Sequence, residues 1–114
     1  MKLSEVKKLL NCKMLTKYVE NEPDVTACMG TDMMSDVLAF AEPGALLVTG
    51  LINSQSVRTA EIADAAGIVY VRGKEPDEHA IELAIELSIP LFTTELSMFE
   101  TCGILCAAGM KGIC

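Results

Sequence analysis

Polar and charged residues follow four apolar stretches of the sequence, at the points where each stretch gives way to a helical pattern. These four segments are residues 29–32, 49–54, 72–75 and 93–95. Together they contribute hydroxyls, an amide, glycines and two cations. In open parallel sheets, ligands bind outside the carboxyl ends of the strands, where helix N-termini present free N–H groups and positive dipole ends. If the segments share one sheet edge, their chemistry suits a small anionic or nucleotide ligand.

The candidate ligand contacts come from three of these segments. They are Thr49, Gly50, Asn53, Ser54, Arg72, Gly73, Lys74 and Thr94. Each residue also has a structural explanation, since hydroxyls cap helices and glycines allow tight turns, so the prediction rests on the set. In the 49–54 segment we favour Asn53 and Ser54, as helix cap and ligand contacts. The sequence contains neither a P-loop nor a G-x-G-x-x-G pattern.

Two cations in this region have alternative partners within the chain. Lys74 can reach a phosphate as a point charge, or it can be a solvated partner of Glu75 or Asp77. Arg58 lies three residues before Glu61, and a surface ion pair at this helical spacing explains it better than a phosphate contact. Arg58 is therefore left out of the ligand contacts, and Lys74 is retained beside Arg72.

Two patterns raise the question of a metal site. His79 and Glu82 stand three residues apart and could share an ion, but the acidic positions lie opposite an apolar face, which is typical of a solvated helix. Cys102, Cys106 and Cys114 have the spacing C-x3-C-x7-C, which differs from that of zinc ribbons and ferredoxins. Cysteine also packs as a small buried hydrophobe. We predict no metal and no cofactor, and keep metal or cluster binding by the three cysteines as a lesser alternative.

No set of residues in the sequence predicts catalysis. The chain has one histidine, no G-x-S-x-G motif, and no pair of carboxylates in an apolar setting. Acid–base and nucleophilic mechanisms commonly use such arrangements. We therefore predict no catalytic residues and a protein that is not an enzyme.

The composition limits the partners and the compartment. The net charge is −7, with 9 Lys and Arg against 16 Asp and Glu, which disfavours nucleic acid and anionic membrane surfaces. No apolar run approaches the roughly 20 residues that span a bilayer. The N-terminal segment "MKLSEVKKLLNC" lacks the apolar centre of a signal peptide. The expected location is the cytoplasm, where the five cysteines would be reduced.

Hydrophobic spacing predicts helices and strands in alternation. The predicted helices are "LSEVKKLLN" with Ser4 as a cap, "TDMMSDVLAFAEPG" with Thr31 or Asp32 as a cap, "SQSVRTAEIADAAG" with Gly67 as a C-cap, "PDEHAIELAIELS", and "LSMFETCGILCAAGM" with a capping box of Ser97 and Glu100. The predicted strands are "KMLT", "VTACMG", "GALLVTG", "IVYVRG" and "IPLFTTE". The charged segment "KYVENEPD" contains Pro23 and predicts a surface turn.

Three strands of nearly continuous apolar character are each followed by a helix in the second half of the chain. Such strands are buried on both faces, which is typical of a parallel sheet covered by helices. A chain of 114 residues, 51% hydrophobic and 4% aromatic, fits one such domain built from aliphatic side chains. We predict a three-layer α/β fold with a mostly parallel sheet, in a single domain over residues 1–114.

From about residue 32 to residue 109, the chain resembles the DRTGG domain family. The resemblance is carried by the order of "SDVLAF", "LLVTGLINSQSVRTAEIADAAGIVYVRG", "KEPDEHAIELAIELSIPLFTT" and "MFETCGIL". The chain departs from the family at residues 51–54, where it has "LINS" and relatives often have Asp-Arg, and at residues 72–74, where "RGK" replaces a Gly-Gly pair. The resemblance implies an α/β fold similar to the N-terminal domains of HPr kinase and of Mur ligases.

The resemblance also implies a regulatory and dimerising module. Members occur inside phosphotransacetylases and in pyrophosphatases with CBS domains, in association with adenine-nucleotide control. Stand-alone copies occur in anaerobic bacteria, often near hydrogenase or redox genes; some are labelled serine kinases, but that activity resides in a P-loop domain, which this chain lacks. The leading expectation is a non-catalytic homodimer that binds a small anion such as an adenine nucleotide. The alternative is an interaction accessory of a redox enzyme or sensor kinase, with no small ligand.

Overall fold

The computed structural model describes residues 1–17, 22 and 24–113. The surface turn predicted around Pro23 falls largely outside these residues, and Cys114 falls outside them as well. Within the described ranges, no helix has both the length and the apolar character needed to cross a membrane.

Five helices and six strands are found in the described part of the chain. The helices are α1 (Leu3–Leu9), α2 (Met34–Phe40), α3 (Ser54–Ile62), α4 (Glu78–Glu86) and α5 (Met98–Ala107). The strands are β1 (Lys13–Met14), β2 (Ala27–Gly30), β3 (Leu46–Thr49), β4 (Gly67–Tyr70), β5 (Leu91–Thr93) and β6 (Lys111–Gly112). Every helix and strand predicted from hydrophobic spacing is present, and β6 was not predicted.

The strands form one sheet with the order β1-β5-β4-β3-β2-β6. All pairings are parallel except that of β1, which runs antiparallel to β5 with Lys13 opposite Thr93. All residues of β3 and β4 are buried, because helices cover both faces of the sheet at its centre. The predicted α/β class with a mostly parallel sheet is confirmed.

Side chains along the central strands alternate between two apolar clusters, which define three layers. Leu46 and Val48 of β3 belong to a cluster shared with α1 and α5, whereas Leu47 belongs to a cluster shared with α2, α3 and α4. The helices contribute Leu3, Val6 and Leu105 to the first cluster, and Met34, Val57 and Ala80 to the second. The small residues of α4 and the aliphatic residues of the sheet allow the layers to approach closely.

Side-chain caps fix the starts of the helices that follow β3, β4 and β5. Asn53 Oδ1 accepts from Ser56 N at 3.3 Å and caps α3, and Asp77 caps α4 in the same way. Ser97 Oγ accepts from Glu100 N at 3.1 Å while Glu100 Oε1 accepts from Ser97 N at 3.1 Å, which confirms the predicted capping box of α5. These caps place three helix N-termini at the carboxyl ends of the strands.

Two predicted N-caps are wrong. Ser4 lies inside α1, whose N-cap position is occupied by Lys2. α2 begins after Met33 and has no side-chain cap, so neither Thr31 nor Asp32 has that role. Thr31 Oγ1 accepts from Met33 N at 3.0 Å, and Asp32 makes the contacts with Thr49 and Gly50 that are described below.

The helix after β3 ends earlier than predicted. α3 stops at Ile62, and Asp64 then takes a left-handed φ of 55° that turns the chain. Gly67 is the first residue of β4 rather than a C-cap. A Cβ atom at Gly67 would lie 3.1 Å from the carbonyl oxygen of Pro90, so the absence of a side chain permits the close approach to the segment before β5.

Candidate functional site

The carboxyl ends of β2, β3, β4 and β5 lie next to one another at one edge of the sheet. The order β5-β4-β3-β2 is continuous, and these strands are parallel. The loops that follow them, residues 31–33, 50–53, 71–77 and 94–97, therefore share this edge, which we call the carboxyl edge. The sequence segments with candidate chemistry thus contribute to one surface, as their order predicted.

Three loops of the carboxyl edge meet at the peptide of Gly50. Asp32 Oδ1, from the loop after β2, accepts from Gly50 N–H at 2.6 Å and from the Thr49 hydroxyl at 3.1 Å. Thr49 Oγ1 in turn accepts from Leu51 N at 3.1 Å. Lys74, from the loop after β4, donates from Nζ to the Gly50 carbonyl oxygen at 3.2 Å. Charged side chains thus bind both backbone polar groups of Gly50.

Arg72 brings a second cation to the same residue. A Cβ atom at Gly50 would lie 3.4 Å from Asp32 Oδ1 and 3.7 Å from Arg72 Nη2. Gly50 itself is buried, while Arg72 is exposed and Lys74 is half-buried. The end of β3 therefore carries two positive side chains that solvent and a ligand can reach.

The loop that bears these cations is held by its neighbour. Arg72 N–H donates to the Leu96 carbonyl oxygen at 2.8 Å, and Gly73 N–H donates to the Thr94 carbonyl oxygen at 2.7 Å. Arg72 and Gly73 have left-handed φ values of 58° and 68°, a conformation that is uncommon for arginine. The left-handed φ of Gly73 favours glycine at this turn, and a Cβ atom there would lie 2.6 Å from Glu95 Oε2, so the Glu95 carboxylate packs directly against the loop.

The eight predicted contacts divide into buried and accessible residues. The side chains of Thr49 and Thr94 are buried, with residue exposures of 0% and 2%, and Thr94 Oγ1 donates to the Leu10 carbonyl oxygen at 2.7 Å. These two hydroxyls stabilise the carboxyl edge from within the fold, as does the buried Gly50. The accessible members are Asn53, Ser54, Arg72, Gly73 and Lys74. A ligand at this edge would first meet the accessible set.

Lys74 and Arg58 do not form the ion pairs considered for them. Lys74 donates to the Gly50 backbone, and Glu75 pairs with Lys13 at 3.6 Å. Among the ion pairs of the described residues, none joins Arg58 to the carboxylate three residues further along α3. The ion pair expected for Arg58 and the one considered for Lys74 are therefore both absent among the described residues, and Lys74 is positioned by its bond to Gly50.

Asp32 and Glu95 lie close to glycines of the carboxyl edge but were absent from the predicted contacts. Asp32 was considered as a helix cap and as part of a strand-end segment, and Glu95 was noted only as part of a strand end. Asp32 bonds to a residue 18 positions away, so local spacing gave no signal for the contact. The one available signal was its place in a strand-end segment, since all such segments converge when the strands are parallel.

Cys28 of β2 and Cys102 of α5 lie next to each other between the sheet and the last helix. A Cβ atom at Gly30 would lie 2.6 Å from Cys102 Sγ, which shows how closely α5 approaches β2. Burial, reinforced by the neighbouring Cys102, raises the pKa of the Cys28 thiol to about 12, and burial also raises the pKa of Cys102. Over residues 1–17, 22 and 24–113, no three His, Cys, Asp or Glu side chains are arranged to hold a metal ion, while Cys114 falls outside these ranges.

Two buried thiols and a buried phenol predict a loss of stability at alkaline pH. Burial raises the pKa of Cys12 to about 11 and of Cys28 and Tyr70 to about 12, from ordinary values of 9.0 and 10.0. Above pH 9.0 the folded state therefore keeps protons that the unfolded chain has released, so the free energy of unfolding falls as pH rises towards about 12. Urea denaturation over this range measures the effect. Cys28→Ala should reduce the slope and Cys106→Ala, at an exposed thiol, should not; a flat profile for the wild type would contradict the prediction.

No protein-family profile and no curated protein matches the chain. Among solved structures, the chain is similar to the crystal structure of the CBS and DRTGG domains of the regulatory region of Clostridium perfringens pyrophosphatase, complexed with its activator diadenosine tetraphosphate. The TM-score is 0.73 at 15% sequence identity. The similarity covers 91% of this chain and 45% of that one, so this chain spans less than half the length of its neighbour. At this identity the likeness concerns the fold alone, which is mixed α/β with helices packed on a mostly parallel sheet.

Proposed function

We propose that this protein is a non-catalytic regulatory domain of the DRTGG type, which senses a small anionic ligand such as an adenine nucleotide at the carboxyl edge. The observation that carries the proposal is the meeting of Arg72 and Lys74 with the Gly50 peptide, on a surface made by four neighbouring strand ends. Asn53 and Ser54 complete the accessible surface at the start of α3.

The two cations are the binding groups for the phosphates of the ligand. The exposed guanidinium of Arg72 can hold two phosphate oxygens, and Lys74 adds a point charge. Helix α3 is nine residues long and begins at Ser54, and its N-terminus adds the positive end of a helix dipole. The chain as a whole has a net charge of −7, but charges separated by more than about 10 Å are largely screened in salt, so local cations decide where an anion binds.

A cavity at the end of β2 is the proposed position of the base. It has a volume of about 200 Å³ and is lined by Met29, Gly30, Thr31, Asp36, Phe40 and Ile113. Phe40 is 51% exposed and offers a ring on which a base can stack, and Asp36 offers an acceptor for an amino group. β2 pairs with β3, the strand that leads to Gly50, so the base and phosphate positions lie at neighbouring strand ends.

The structural neighbour supports the regulatory part of the proposal. That protein is a pyrophosphatase regulatory region with an activator bound, and the activator is an adenine nucleotide derivative. The fold likeness agrees with the sequence resemblance to the DRTGG family, which occurs in regulatory regions of this kind. Adenine nucleotides are for this reason the first ligand class to test.

Calorimetric titration of the purified chain with AMP, ADP and ATP tests the proposal. We expect saturable binding of at least one nucleotide and a rise in melting temperature, because a ligand at about a hundred times its Kd stabilises the folded state by about 2.7 kcal/mol. Adenosine, which lacks the phosphates, is the matched control and should bind much more weakly. If none of the three nucleotides gives heat or a thermal shift, the ligand part of the proposal is wrong.

Association with another protein or with a second copy is the second candidate function. Large apolar side chains are exposed on two adjacent helices, with Leu38 of α2 at 54% and Ile62 of α3 at 71%. Apolar side chains exposed together are typical of interaction surfaces. Light scattering would distinguish a homodimer from a monomer, and copurification from the native host would identify a redox-enzyme or signalling partner.

A further inference from the structure

The Asp32 carboxylate already accepts the hydrogen bond from the Gly50 backbone amide, which a bound anion would otherwise accept. Its Oδ1 atom accepts from Gly50 N–H at 2.6 Å and from the Thr49 hydroxyl at 3.1 Å. The two carboxylate oxygens lie 3.4 and 3.6 Å from the position that a Cβ of Gly50 would take. The chain thus supplies its own anion to the end of β3, beside Arg72 and Lys74.

This contact is half-buried, because the exposed Asp32 side chain reaches the buried Thr49 and Gly50 from outside the fold. Asp32 is exposed and sits in the short loop between β2 and α2, outside both elements. The start of α2 does not depend on Asp32, because the helix begins after Met33 with no side-chain cap. Rotation of the Asp32 side chain would release Gly50 N–H and the Thr49 hydroxyl while the strands and helices stay in place.

We propose that Asp32 sets the affinity of the carboxyl edge for phosphate-bearing ligands by competing with them. A carboxylate oxygen and a phosphate oxygen are equivalent acceptors for a backbone N–H, and Gly50 has one N–H to donate. The ligand phosphate takes the place of the Asp32 carboxylate next to Arg72 and Lys74, and the carboxylate turns to solvent. This inference rests on the proposed function, since it names the residue that regulates the same site.

Competition of this kind weakens binding in a calculable way. A ligand binds only those molecules in which Asp32 has left Gly50, so the measured Kd is the intrinsic Kd divided by that fraction. An open fraction of about one tenth weakens binding about tenfold. The negative charge of Asp32 also repels the arriving phosphate. Removal of the carboxylate relieves both effects and tightens binding.

Calorimetric titration with ATP on the full chain tests the competition in three variants and the wild type. We expect Asp32→Ala to bind ATP about tenfold more tightly than the wild type, and Asp32→Asn to lie between them because its amide oxygen still accepts from Gly50. Glu75→Gln is the matched control, since it removes one negative charge from the adjacent loop, where Glu75 pairs with Lys13. We expect it to change the affinity less than about twofold. In heteronuclear NMR spectra of the wild type, the Gly50 amide signal should move as ATP is added.

Each outcome decides between the two proposals. If the wild type binds ATP and Asp32→Ala binds equally well or more weakly, the competition is overturned and the proposed function stands. An equal gain from Glu75→Gln also overturns it, because the effect would then be one of general charge. If neither the wild type nor Asp32→Ala binds ATP, the competition is overturned, and the titrations with AMP and ADP decide the proposed function. If Asp32→Ala fails to fold, Asp32→Asn and the Gly50 signal decide, and a signal unmoved at saturating ATP overturns the competition.

Discussion

Replacing Arg72 and Lys74 together by alanine is expected to weaken adenine-nucleotide binding by at least about a hundredfold. The two side chains are the cations that converge on the Gly50 peptide, and they come from one loop whose backbone is held by the loop after β5. A hydrogen bond to a charged group contributes about 1.5–3 kcal/mol, and each 1.4 kcal/mol corresponds to about tenfold in Kd. Two such contacts account for the expected loss.

Calorimetric titration measures nucleotide binding by the Arg72 and Lys74 double variant. The control is a second double variant that loses the same charge at other positions. Lys7→Ala with Arg58→Ala removes one lysine and one arginine from exposed helix positions on α1 and α3, and should leave the affinity within about threefold of the wild type. Melting curves of both variants show whether the fold is kept. Unchanged nucleotide binding in the Arg72 and Lys74 variant would move the ligand away from this loop.

The largest expected effect on stability comes from Ile68→Ala at the centre of the sheet. Ile68 is 0% exposed in β4 and packs in the cluster formed with α2, α3 and α4. Truncation of a fully buried isoleucine removes transfer free energy and leaves a cavity, at a cost of about 2–5 kcal/mol. Because a domain of this size has only about 5–15 kcal/mol of stability, the variant should lose a large share of it.

Urea denaturation measures this loss as a lower midpoint with an unchanged slope. Ile62→Ala is the matched control, since Ile62 is the same residue type at 71% exposure on α3, and it should change the free energy of unfolding by less than about 0.5 kcal/mol. Equal losses from the two variants would contradict the three-layer packing, because burial could then not be the cause.

The buried strands and the helix caps could be predicted wherever the sequence pattern was continuous or joined residues close in the chain. The run "LLVT" is apolar at nearly every position because both faces of β3 are covered, and this pattern needs no knowledge of its neighbours. The capping box of Ser97 and Glu100 depends on residues three apart, and was found for that reason. Convergence of the strand ends at one edge follows once the strands are parallel.

Other features depend on partners that are distant in sequence, so no local pattern predicts them. β6 consists of Lys111 and Gly112, both exposed, and it becomes a strand by pairing with Ala27 and Cys28. Hydrophobic spacing carries no signal for such a strand. Asp32 has the sequence signature of a helix cap, yet it bonds to Gly50 instead, because the parallel pairing of β2 with β3 brings the two loops together. The main groups of the candidate site were therefore predicted as a set, while the contacts between them were not.

The two outer strands have a consequence for how the protein behaves at high concentration. The sheet ends on one side in β1 and on the other in β6, each two residues long and each with an exposed lysine, Lys13 or Lys111. Short, lysine-bearing outer strands offer little template for another chain to add by backbone pairing. We therefore expect concentrated copies to resist backbone pairing at the sheet edges and any specific assembly to use the helical faces.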